Sequence, residues 1–105
     1  MALAAYGMYA ATAEHDYSEA ILRQVEAIGI YDSVGDKDKK AKVYFNLCRI
    51  YELGLHKNDV AYIYARKALE SAQNEKLRAM YEVEFDCLTV AGLREGWIHH
   101  RPNQT

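Results

Sequence analysis

Four histidines, two cysteines and a run of carboxylates are the residues with chemistry to offer, and no spacing among them makes a recognisable motif. His15 and His56 fall in turns between paired helical segments, and His99 and His100 are adjacent instead of one helical turn apart. No metal site is expected from them. Cys48 and Cys87 match no metal-ligand spacing. Each lies inside a helical pattern, where a small, buried, reduced thiol is the expected role. Glu82, Glu84 and Asp86 alternate along the chain, which spreads them around a helix and reads as a solvated face. Lys37, Lys39 and Lys40 in VGDKDKK have no glycine-rich cradle beside them, so a charged turn is expected there and not a phosphate site. No phosphate loop and no dinucleotide fingerprint occurs. The chain is therefore expected not to be an enzyme and to need no cofactor.

The totals agree with a binding or structural role. A chain of 105 residues, half of them hydrophobic and 27% charged, suits one globular domain. Its formal net charge of −2 offers no basic surplus for nucleic acid. The N-terminal MALAAYGMYAATAEH lacks the charged start of a secretion signal, and Tyr6, Gly7, Tyr9 and Thr12 interrupt its apolar run. It is also too short to cross a bilayer. A packed helix, no membrane association and a cytoplasmic location are expected.

The elements that position these residues read as helices throughout. The one proline, Pro102, leaves the rest of the chain free to run as helix. A first helix is expected over about 2–14. A second runs from Tyr17 to Val34 after a capping box of Asp16 and Glu19, apolar on two sides and so sandwiched between neighbours. Gly35 ends it and Asp36 caps the next. The best-formed unit is a helical hairpin from Ala41 to Ala72. Val43, Leu47, Ile50 and Gly54 line one side of its first helix, beside Tyr44, Cys48 and Tyr51. Ala61, Ala65, Ala68 and Ala72 make a small-residue stripe on its second, which Asn58 and Asp59 are expected to cap. A fifth helix runs from about Glu75 to Ala91, capped by Asn74, with Leu77, Met80, Tyr81, Cys87, Leu88 and Ala91 inward. Residues 93–105 are expected to be a poorly ordered tail after a domain spanning 1–92. Trp97 and Ile98 are placed either back over the last helix or free on that tail.

The hairpins repeat. Ala20 and Ala61 are 41 residues apart, and so are Ala27 and Ala68 (61 − 20 and 68 − 27). A fixed period in this range is the mark of a stacked helical array. Tyr44, Leu47, Cys48 and Tyr51 in one helix, with Ala61 and Ala68 in the next, resemble the tetratricopeptide repeat. Tyr17, Ala20 and Ala27 follow the second-helix part of that pattern, whereas Ala4, Gly7, Met8 and Ala11 depart from the first-helix part. The proline usual after the second helix is absent from both. The resemblance implies antiparallel hairpins stacked as a right-handed α-solenoid of about two and a half repeats. The long second helix and the VGDKDKK joint are similar to the extended repeats of bacterial regulators and sensors, including peptide-sensing ones. Two and a half repeats fall short of the three a stable array generally wants, so a fragment of a longer solenoid is the expectation, with pairing to a second copy or capping by the tail as the alternatives.

That resemblance also implies where a partner sits. First helices of this family line the concave face, which places Lys42, Phe45, Asn46, Arg49 and Glu52 toward a groove, with Tyr9 at a matching position in the first helix of the first repeat. Lys42, Asn46 and Arg49 have the charge-assisted donors to hold a peptide backbone or carboxylate. Tyr44, Tyr51 and Tyr64 follow the repeat pattern and are expected in the core, with Tyr62 off that stripe. A protein or peptide segment is the expected partner. The alternative is self-association through the end helices with no ligand groove.

Overall fold

The computed structural model describes residues 17–99, and among them every regular element is a helix. Helix α1 spans Tyr17–Val34, α2 spans Lys37–Arg49 and runs on through a π-helical turn at Ile50–Gly54. Helix α3 spans Asn58–Ser71 and α4 spans Glu75–Glu95. Four helices are described where five were expected. The expected first helix, with Tyr9 and the Asp16 cap, lies outside the described residues.

Local chemistry accounts for the helix ends. Gly35 takes the left-handed conformation (φ 75°) that ends α1 at no Cβ penalty. Asp36 then accepts the Lys39 N–H at 3.1 Å and caps α2, and Asn74 accepts from Lys76 and Leu77 to cap α4. The expected cap of α3 is different. Asn58 is already the first helical residue and Lys57 holds the cap position with no capping side chain. Asp59 accepts only the neighbouring Val60 N–H, and the Asn58 amide instead donates to Glu95 Oε2 at the far end of α4. Tertiary contact has diverted the capping side chain. The last helix also outruns its expected end near Ala91: it continues to Glu95, where Gly96 (φ 91°) closes it and donates to Gly92 O.

Consecutive helices pack antiparallel. Ala27 and Tyr31 of α1 meet Val43 of α2, and Ala20 meets Ile50 at the other end. Ala41 of α2 meets Ala68 and Ala72 of α3, and Cys48 meets Ala61 and Ala65. All four alanines of the α3 stripe are buried, so the axes of α2 and α3 approach closely over side chains that leave no ridge. Helix α4 closes on this pair, placing Tyr81 and Leu88 in the same two clusters. The pattern tyrosines interlock: Tyr64 stacks on both Tyr44 and Tyr51, with centroids 6.3 and 5.5 Å away. The four alanines paired by the 41-residue interval, Ala20, Ala61, Ala27 and Ala68, are all buried.

Leu22, Val25, Ile30 and Val34 of α1 are exposed, and the helix expected to pack beside α1, over about 2–14, lies outside the described residues. One expectation fails on exposure. Met80 and Cys87 were expected inside, but α4 turns them outward. The helix instead buries the side carrying Tyr81 and Leu88 together with Thr89 and Gly92.

Candidate carboxyl-thiol site between α2 and α4

Helix α2 presents Cys48 and Glu52 four residues apart, hence on one face, and that face meets α4 at Glu84. The Cys48 sulfur and a carboxyl oxygen from each glutamate lie within 4.8 Å of one another. Cys48 is wholly buried and both glutamates are partly buried. The π-helical turn carries Glu52 here: the Leu55 N–H reaches back five residues to Ile50 O. Such widened turns shift the side chains around them relative to the helix before, and they recur at functional sites. Gly54 finishes the turn under the Tyr17 ring, where a Cβ would stand 2.5 Å from a ring carbon.

Two carboxyls this close in a partly dry place do not both ionise freely. Burial, then a shared hydrogen bond with Glu84, then the Glu84 charge push Glu52 up to about 7, against the opposing pull of Arg49. Burial chiefly, helped by Glu84 and Glu52, pushes the Cys48 thiol up to about 12. The thiol is therefore protonated and unreactive at neutral pH. Apart from the proton it shares with Glu52, Glu84 leaves Oε2 buried with no hydrogen-bond partner.

The expected groove residues of α2 do not share one environment. Lys42 and Arg49 are exposed, and the Arg49 guanidinium stands 5.9 Å from the Phe45 ring centroid. Phe45 itself stacks on Tyr81 of α4 at 4.8 Å, and Asn46 donates its amide to Gln24 Oε1 of α1 at 3.3 Å. Glu52 turns to Glu84. The face thus offers Lys42 and Arg49 to solvent while Phe45, Asn46 and Glu52 tie α2 to its neighbours. Tyr62 is half-buried, stacked on Phe85 at 4.9 Å and touched edge-on by Trp97.

Glu84 is the residue that sequence reasoning missed. Its neighbours Glu82 and Asp86 are exposed as expected, but Glu84 lies three residues after Tyr81 and four before Leu88. That spacing places it on the buried stripe, a signal present in the sequence but hidden by the run of like residues.

Comparison with known proteins finds no matching family model, no matching curated protein and no matching solved structure. No helix among the described residues is long and apolar enough to cross a membrane.

Proposed function

We propose that this chain is a helical scaffold module of tetratricopeptide type, part of a larger regulatory protein, that holds a protein or peptide segment on the outward face of α2. The observation that carries the reading is the pair of exposed cations, Lys42 and Arg49, seven residues apart on that face with Phe45 between them. An extended acidic segment laid along α2 meets a donor at each end and an aromatic surface at the centre. Selection from a displayed peptide library followed by calorimetry tests this. The selected peptides should be acidic, and Lys42→Ala with Arg49→Ala should weaken them at least tenfold. Unchanged affinity in the double variant would remove the face from consideration.

A second reading has its own observation. Met80, Val83, Cys87 and Val90 are exposed and spaced by three, four and three residues along α4. That is the spacing of a helix-pairing seam, and it favours self-association through α4. Sedimentation at increasing concentration separates the readings. A dimer abolished by Met80→Glu with Val83→Glu supports the seam, and a monomer at every concentration rejects it.

A further inference from the structure

We propose that Cys48, Glu52 and Glu84 form a binding site for a divalent transition cation of the zinc class, clamping α4 against α2. Three potential ligand atoms from two helices already converge, all within 4.8 Å of one another. Ligands about 2.0–2.3 Å from zinc stand roughly 3.3–3.8 Å apart at the corners of a tetrahedron. Closing from the observed spacing therefore asks for movements of roughly 1 Å, within reach of glutamate side-chain rotation.

Two further observations separate this cluster from an ordinary acidic patch. Cys48 is wholly buried and free of any disulfide, and its sulfur lies within 4.8 Å of a carboxyl oxygen from each glutamate. A thiol kept for packing alone has no need of two carboxylates beside it. Glu84 Oε2 is buried, and beyond the neighbouring Glu52 carboxyl it has no hydrogen-bond partner; an unsatisfied buried oxygen is costly unless something satisfies it. A bound cation satisfies both at once.

The charges balance as well. Binding releases the Cys48 thiol proton and the proton held by Glu52 to solvent; the thiolate and two carboxylates then carry −3, a divalent cation +2, and Arg49, whose charge acts on both Cys48 and Glu52, supplies +1. One sulfur with two oxygens selects a borderline-soft ion such as zinc or cobalt over calcium or magnesium, which take oxygen alone. The partly exposed glutamates leave room for a water as fourth ligand, an open position of the kind structural zinc sites lack.

The test uses the full chain, reduced and stripped with chelator, then titrated with cobalt(II) and zinc(II). One equivalent of cobalt should raise a thiolate-to-cobalt charge-transfer band together with intense tetrahedral ligand-field bands, and zinc should displace it. Cys48→Ser should abolish the charge-transfer band, and Cys87→Ser should keep it. Glu52→Gln and Glu84→Gln should each weaken zinc binding at least tenfold. Both replacements keep shape and remove like charge, so the helices should survive, as circular dichroism will register. No thiolate band, or a band that persists in Cys48→Ser, overturns the proposal. So does zinc affinity unchanged in both glutamine variants of folded protein.

Discussion

Replacing Glu52 by glutamine should raise stability at high pH and leave it nearly unchanged at low pH, in protein kept metal-free with chelator. The folded-state pKa of about 7 lies above the ordinary 4.5. A raised carboxyl pKa means the folded state binds the proton more tightly than the unfolded chain does. Its stabilising effect is fully present below about 4.5 and is lost as pH rises through 7. At about 1.4 kcal/mol per tenfold change in proton affinity, the full effect is about 3 kcal/mol. Glu52 is only partly buried, so solvent screening reduces this to about 1–2 kcal/mol. The neutral glutamine amide cannot ionise and can donate to Glu84 at every pH. For a chain of this size the variant should therefore melt roughly 5–10 °C higher at pH 8, with no difference at pH 4.5. The assay is thermal unfolding by circular dichroism at half-unit steps of pH, scored as variant minus parent so that all other titrating groups cancel. If the two melting curves stay parallel across the range, Glu52 is an ordinary solvated carboxylate. The α2–α4 contact described above would then be wrong.

Three other outcomes follow from the packing. Ala65 is wholly buried against Cys48 and Leu88, so Ala65→Leu should overfill the α2–α3–α4 junction and cost about 1–3 kcal/mol in urea unfolding. Gly92 has no room for a side chain because Ile98 and Trp97 lie over it, with an added Cβ 2.5 Å from Ile98 and 2.8 Å from Trp97. Gly92→Ala should therefore lift Trp97 off Tyr62, read as a red shift and increased quenching of tryptophan emission while helix content stays constant. Asp38 accepts the backbone N–H groups of Gln73 and Asn74 at 2.7 and 3.1 Å, and these bonds hold its pKa below the usual 3.8. Asp38→Ala should lower the melting temperature at neutral pH, and the deficit should shrink as pH falls below that value, because the parent then loses the same bonds by protonation.

The helices were legible because their evidence is local. The apolar period, Gly35 at a left-handed stop, and Asp36 and Asn74 at caps act within a few residues of themselves. Gly35, Asp36 and Asn74 each landed where expected. The α3 stripe was equally legible, since four alanines at helical spacing have little use except close packing. Legibility failed where a residue had two local uses and a distant neighbour chose between them. Asn58 is a good cap by type, but Glu95 reaches it from another helix. Met80 and Cys87 suit a buried face, but among the described residues α4 lies on α2 and α3, and Tyr81 with Leu88 takes that side. Trp97 looked like either a fold-back or a loose end, and the left-handed Gly96 with the bare surface of Gly92 directed it back onto Tyr62.

The amino-acid sequence on its own determined the all-helical character of the described residues, the stop of α1 at Gly35, and the two matching sets of alanines. Those properties follow from backbone propensity and from hydrophobic period, which need no knowledge of what lies across the gap. Only the tertiary structure decided that Glu84, one of three alternating acids, faces inward to Glu52 and Cys48. The rotation of α4 about its axis is set by which side chains best fill the groove over α2 and α3. A carboxyl on that side is carried inward with the rings beside it.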